Sequence, residues 1–262
     1  MKTLILPDLH QNVEACKKAL KRHSSNHDKI IFLGDYFDCF DFQPHISVEK
    51  TCEFLWDTYN ELGDKGIWLA GNHDIPYLEE LYFKGEYARS GHYFSRERKR
   101  YTCTGYTKNK ADKIRHFFLK ENRIEFWDNL KLFHKDDRFI YSHAGFAHSL
   151  FKPHVSLNEN LLHFESQWDT FFDNLKTKNT AIPFPENFIW DVGQCRGGDT
   201  VVGGPLWLDW YREFVHVDGI DQMVGHTIGD HVRNLETSYC IDTHHKHCAS
   251  VDKNGDVMIY DI

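Results

Sequence analysis

The sequence predicts an α/β fold built on a parallel or mixed sheet, and two patterns carry the prediction. Six short apolar runs, "TLILP", "KIIFLG", "GIWLAG", "RFIYSHAG", "IDQMVGHT" and "SYCIDT", are continuous rather than alternating. Runs of that kind suit strands covered on both faces. Amphipathic helical stretches separate the first three, so residues 1–71 read strand, helix, strand, helix, strand.

The elements follow in chain order. "MKTLILPDLHQN" starts with one Lys and a short apolar run that Asp8 interrupts. It reads as the first strand, not as a signal peptide. Residues 12–23 place Val13, Cys16, Ala19 and Leu20 on one helical stripe, with Asn12 as N-cap. Residues 47–61 repeat the pattern with Val48, Cys52, Leu55 and Trp56. There Ser47 caps, and Lys50 stands where a full capping box needs Glu or Gln. Residues 75–130 read as mostly helical and polar. Residues 148–190 form a second polar and aromatic segment, interrupted by "AIPFPEN". Both read as insertions over the sheet edge (about 75–130 and 148–205) within a single domain, 1–262. The end, "CASVDKNGDVMIYDI", predicts a hairpin turning at Asn254-Gly255.

Composition narrows the class. The chain has 262 residues, 41% hydrophobic and 15% aromatic, enough for a sizeable core. No run approaches the roughly 20 apolar residues that span a bilayer. A formal charge of −8 argues against a whole-surface nucleic-acid binder. Seven scattered cysteines without a CxxC pair suit a reducing compartment, and the expected location is the cytoplasm.

Chemistry-bearing residues gather where the strand runs end. They are Asp8 and His10 in "DLH", Asp35 and Asp38 in "GDYFD", Asn72 and His73 in "GNHD", His143 in "SHAG" and His226 in "GHT". In open α/β sheets, ligands bind beyond the carboxyl ends of strands. Carboxylate, imidazole and one amide form an oxygen and nitrogen donor set suited to Mn, Fe or Zn. So many donors exceed the needs of one tetrahedral ion, and two ions sharing one carboxylate is the economical arrangement.

Taken in order, these motifs resemble the calcineurin-like metallophosphoesterase superfamily, with its D-x-H, GDxxD, GNH[DE], His and GH. The likeness is nearest to the phosphoprotein-phosphatase branch, including bacterial and phage serine/threonine phosphatases and diadenosine tetraphosphatase-like enzymes. It implies a metallophosphoesterase fold, a mixed β-sandwich flanked by helices with helical insertions over the active-site edge. It implies two divalent metal ions, Mn²⁺ foremost, with Fe or Zn as the other candidates. Asp8 and His10 would hold metal one, Asp35 would bridge, and Asn72, His143 and His226 would hold metal two. Two ions about 3.5–4 Å apart can activate a bridging hydroxide for in-line attack on a phosphomonoester. His73, paired with Asp38, would protonate the leaving group.

The sequence departs from the pattern in three places. "GHTIG" puts Ile228 where many members carry a second His, and His244 follows "CIDT" where relatives usually show Gly. His244 reads as a polar residue at a strand end, the alternative being an approach to metal one. The third departure, "GDYFDCF", places Cys39 and Phe40 where the branch carries a phosphate-gripping Arg. Cys39 reads as a packing residue. Arg196 in "GQCRGGD" and Arg212 in "PLWLDWYREF" are the candidate replacements, since a guanidinium fork suits a phosphate.

Asp74 reads as a cap for the following helix, and His134, His148, His154, His216 and His231 as surface residues. Residues 89–115 carry nine Lys/Arg against two Asp/Glu, with Tyr93, Phe94, Tyr101 and Tyr106 interleaved. That composition fits either a solvated loop or a groove for nucleotides or nucleic acid. The leading expectation is a binuclear metal-dependent phosphatase acting on a small phosphorylated molecule or a phosphoprotein. The alternatives are a nucleotide, dinucleoside polyphosphate or nucleic-acid-end phosphoesterase, and a metal-binding scaffold without catalysis.

Overall fold

All six apolar runs form strands. The structure is a computed structural model that describes residues 1–39, 46–83, 92–94, 100–177 and 188–262. The first half contains β1 (Thr3–Leu6), α1 (Val13–His23), β2 (Lys29–Phe32), α2 (Val48–Leu62), β3 (Gly66–Trp68), α3 (Ile75–Phe83), β4 (His92–Phe94), β5 (Arg100–Thr102), α4 (Lys108–Phe118) and α5 (Glu125–Asp128). The second half contains β6 (Phe133–Lys135), β7 (Phe139–Ser142), α6 (Leu157–Thr177), β8 (Asp221–Val224), β9 (Arg233–Leu235), β10 (Ser238–Cys240), β11 (His247–Val251) and β12 (Val257–Asp261).

The strands make two five-stranded mixed sheets, ordered β12-β11-β1-β2-β3 and β6-β7-β8-β10-β9. In the first, β1, β2 and β3 run parallel, and in the second β7, β8 and β10 do. Antiparallel strands border both triplets. Side chains alternate along each strand, so one set meets the facing sheet and the other meets the helices. Ile5, Ile31, Ile67, Tyr141, Met223 and Val251 share one buried cluster that draws on both sheets. Leu4, Leu6, Phe32 and Trp68 belong to the larger cluster with the helices. The result is a β-sandwich flanked by helices, as expected.

The first two helices start where their caps predict. The Asn12 side chain accepts from the Ala15 N–H at 3.3 Å, and Lys21, Arg22 and His23 occupy the last turn of α1, where cations complement the helix dipole. The Ser47 hydroxyl accepts from the Lys50 N–H at 3.2 Å. The long helix α6 spans 21 residues and buries Phe164, Trp168, Phe171 and Phe172. The Trp168 indole N–H donates to the Leu130 carbonyl at 2.9 Å, which ties α6 to the chain just before β6. Residues 181–187, the "AIPFPEN" stretch, lie outside the described residues.

Two expectations need correction. Residues 75–130 are not simply helical, because the antiparallel pair β4–β5 stands between α3 and α4. The C-terminal hairpin exists, but its turn is not the two residues Asn254-Gly255. Val251 pairs with Val257 across a five-residue loop. The Asp252 carboxylate organises that loop by accepting from the N–H groups of Asn254 (2.8 Å) and Asp256 (3.0 Å). Gly255 alone takes the left-handed conformation there, at φ 86°. A side chain bonded to the following backbone competes with a tight turn, and here it prevails. Among the described residues, no helix is long and apolar enough to cross a membrane.

Met223 is fully buried between the sheets, three residues before His226. Met223→Ala should destabilise the fold by about 2–5 kcal/mol. A urea midpoint that does not move would contradict the sandwich core.

Candidate metal centre

The six parallel strands all point their carboxyl ends to one place. Asp8 and His10 follow β1, Asp35 and Asp38 follow β2, and Asn72 and His73 follow β3. His143 follows β7, His226 follows β8 and Asp242 follows β10. All but His226 are buried residues, and His226 is half-buried.

The backbone is bent hard to achieve this. His10, Asp35, Asp38 and His226 adopt φ of 40°, 52°, 66° and 63°. Left-handed conformations at residues other than Gly cost about 1–3 kcal/mol each and collect at functional sites. His244 and His245 do the same at 54° and 61°, which explains why Gly suits the position of His244. Glycines make the close approaches possible. A Cβ on Gly71 would lie 2.1 Å from Asp35 Oδ1, and one on Gly225 would lie 2.0 Å from Asp8 Oδ1.

Asp35 sits at the middle of the site. Its Oδ1 accepts from the His73 backbone N–H at 2.8 Å. Its Oδ2 lies 3.5 Å from His10 Nε2 and 3.4 Å from His143 Nε2. His10 Nδ1 is 3.2 Å from the Phe37 carbonyl and His143 Nδ1 is 2.8 Å from the Leu33 carbonyl, so each Nδ1 carries the proton and donates it. Each Nε2 is then a lone pair aimed at a carboxylate oxygen. His143 Nε2 also lies 2.9 Å from Asn72 Oδ1 and 3.1 Å from His226 Nδ1. On the far side, Asp8 Oδ2 accepts from the His226 N–H at 2.9 Å. Two candidate donor triads, Asp8–His10–Asp35 and Asp35–His143–His226, overlap at Asp35, each with its donor atoms within 4.8 Å of one another, and Asp38–His73–Cys103 forms a third group beside them. Buried lone pairs facing lone pairs are the donor set a cation fits. The Nε2 of His226, buried and without a hydrogen-bond partner, fits it too.

The electrostatics agree. Burial pushes the Asp35 carboxyl well up, and its neighbours Asp8 and Asp74 push it further. Burial and then Asp242 do the same to Asp8. Burial lowers His143 to about 3 and holds His10 and His226 well below the ordinary range, so the imidazoles are neutral and their lone pairs are open to a cation.

A cavity of about 360 Å³ opens beside these groups, lined by His10, Asp35, Asn72, His73 and His226 together with Thr104, Val192, Arg196, Trp207 and Ile228. A larger groove, about 760 Å³, lies along α1 and α2, and among the described residues it holds none of the candidate ligand groups. His73 Nδ1 lies 3.1 Å from Asp38 Oδ2, as the sequence predicts. Arg196 reaches the cavity wall. Its Nη2 donates to Thr227 Oγ1 at 2.9 Å and its Nε pairs with Asp209 at 3.0 Å. Arg212 does not line the cavity. It is exposed, and its backbone N–H donates to Asp209 Oδ1 at 3.0 Å.

Asp74 is likewise corrected. Its carboxylate does not cap α3. It accepts from the N–H groups of Gly71, Asp35 and Tyr36 at 2.8, 2.8 and 2.9 Å, stapling the loop after β3 to the loop after β2. Burial raises it to about 7. Of the basic stretch, Lys108 pairs with Glu80, Lys113 with Glu49 and Lys110 with Asp38. Arg89, Arg96, Arg98 and Lys99 lie outside the described residues. His134, His148, His154, His216 and His231 are absent from the cavity lining.

A calcineurin-like phosphoesterase family model matches residues 1–228. The chain belongs to that family. The fold of this phosphoesterase is similar to that of a cold-active protein-tyrosine phosphatase from a psychrophilic Shewanella species, with a TM-score of 0.62 at 15% identity, over 98% of this chain and 80% of that one. It is also similar to a serine/threonine phosphatase from Saccharomyces cerevisiae, with a TM-score of 0.51 at 10% identity, over 100% of this chain and 80% of that one. No curated protein matches the sequence.

Sequence reasoning missed Asp242, which follows the apolar run "SYCI" in the same manner as the other strand-end acids. It also missed Cys103, whose sulfur lies 3.3 Å from His73 Nδ1, and Tyr77, whose hydroxyl donates to Asp38. No local pattern marks these two.

Metal binding to this phosphoesterase should release protons. Asp8 and Asp35 have raised carboxyl pKa values, so they hold protons into a pH range where free carboxyls have lost them, and a cation must displace those protons. His143, at about 3, has none to give above pH 5. Mn²⁺ affinity should therefore rise with pH above the range in which free carboxyls ionise. Calorimetry in two buffers of different ionisation enthalpy measures the release, and pH-independent affinity would contradict this electrostatic picture.

Proposed function

We propose that this phosphoesterase is a metal-dependent phosphatase that hydrolyses phosphomonoesters, with two divalent ions bridged by Asp35. The observation that carries the reading is the pair of donor triads overlapping at Asp35, with the His73–Asp38 pair beside them. Asp8 and His10 would hold one ion, and Asn72, His143 and His226 the other. Mn²⁺ is the first choice, with Fe and Zn as alternatives. When bound, the ions supply the activated water and neutralise charge on the phosphoryl oxygens.

The protein's own groups do the rest. Asp38 holds the Nδ1 proton of His73, so Nε2 is the nitrogen that carries the transferable proton to the leaving oxygen. Arg196 replaces the arginine missing after "GDYFD". Asp209 and Thr227 fix its guanidinium at the cavity wall, where it would grip phosphoryl oxygens turned away from the ions. Phosphatases among the structural relatives favour a phosphomonoester substrate. The nucleotide and nucleic-acid reading rested on the basic stretch, and Lys108, Lys110 and Lys113 there pair with this chain's own carboxylates. The inert-scaffold reading leaves a buried acid–base pair without a purpose.

Asp35→Asn removes the shared charge. It should lose at least one metal per chain along with turnover of a phosphomonoester. Retention of two tightly held metals with normal turnover would end the assignment.

Arg196→Lys keeps the charge but loses the fork. It should weaken inhibition by inorganic phosphate and lower kcat/KM by about tenfold, roughly one charge-assisted hydrogen bond, with metal content intact. Unchanged phosphate inhibition would remove Arg196 from the site.

A further inference from the structure

Neither a solvated loop nor a nucleic-acid groove accounts for Lys110. Its Nζ lies 2.9 Å from Asp38 Oδ1 and 2.8 Å from the Gly105 carbonyl. The lysine side chain is 21% exposed, whereas Asp38 is fully buried. Tyr77, also fully buried, donates its hydroxyl to the same Oδ1. The other oxygen, Oδ2, is turned to His73 Nδ1 at 3.1 Å. The carboxylate is therefore divided: one oxygen is anchored by an ammonium and a phenol, and the other is presented to the imidazole.

The backbone confirms how tightly this corner is closed. Gly105, at φ 91°, sits against Asp38, and a Cβ there would lie 2.9 Å from the Asp38 Cβ. The turn from Cys103 to Thr107 and the first turn of α4 thus fold onto the acid behind His73. Thr107 caps α4 by accepting from the Lys110 N–H at 3.2 Å, which places Lys110 in the first turn of the helix, with its Nζ on Asp38.

We propose that Lys110 is a positioning residue for proton donation by His73. It locks the rotation of the Asp38 carboxylate, and through it the ring of His73. An aspartate with two anchored lone-pair directions cannot swing its second oxygen away from Nδ1 without losing a charge-assisted bond in a buried setting. Outer partners of this kind typically contribute about 10- to 100-fold to activity when removed. This proposal rests on the reading of His73 as the proton donor.

The test compares an alkyl phosphate, glycerol 2-phosphate, with 4-nitrophenyl phosphate, whose leaving group needs little protonation. Lys110→Met should lower kcat on the alkyl ester about tenfold or more, and on the aryl ester by less than about threefold, with Mn content unchanged. Lys110→Arg, which keeps a cation over Asp38, should recover most of the alkyl activity. In a His73→Ala background, Lys110→Met should cost nothing further, because two residues acting through one proton transfer are not additive. Equal loss on both esters, or additive loss in the double variant, would overturn the role of Lys110. Should Lys110→Met fail to fold, Lys110→Gln supplies the same comparison. His73→Ala alone separates the two claims. If it shows no leaving-group dependence, the reading of His73 falls. If it does and Lys110→Met does not, only the present inference falls.

Discussion

Everything in this molecule is arranged around the cost of burying carboxylates together. Asp8, Asp35, Asp74 and Asp242 are all buried at the carboxyl ends of the parallel strands, and each is pushed upward by that burial. An isolated buried charge costs several kcal/mol or more, so such groups must be paired, hydrogen-bonded or bound to a cation. Three of the four are satisfied in two different ways. Asp74 is satisfied by three backbone N–H groups. Asp8 and Asp35 each receive a backbone N–H and keep an oxygen toward neutral imidazole nitrogens. The first kind is structural, while the second has the donor chemistry that a positive ion fits.

The same constraint explains the backbone. Four site residues in left-handed conformations and two glycines packed against carboxylates would be poor choices for stability alone. They bring three loops from one sheet and three from the other within hydrogen-bonding reach. The two sheets supply the rigidity, because each loop leaves a strand buried on both faces.

Much of this was legible in the sequence, because parallel strands buried on both faces announce themselves as continuous apolar runs and polar residues just beyond them have few other reasons to be there. That rule located Asp8, His10, Asp35, Asn72, His143 and His226, and applied evenly it would have added Asp242. The roles of Asp74 and Lys110 were hidden for a different reason. Both act on groups far away in sequence, Asp74 on the backbone 38 and 39 residues earlier and Lys110 on a carboxylate 72 residues earlier. Local propensity gives Asp74 a capping role that tertiary contacts override. Charge counting assigns Lys110 to a basic surface, while its partner lies in the core. The Gly neighbours of Arg196 already set it ahead of Arg212 as a phosphate-gripping candidate, and the cavity wall, which Arg196 lines and Arg212 does not, separates them further.

The most direct test is a crystal of the protein grown with Mn²⁺ and examined by anomalous scattering. Two peaks about 3.5–4 Å apart, with an Asp35 oxygen between them, are the expected result. A single peak, or two peaks not joined by Asp35, would contradict the account.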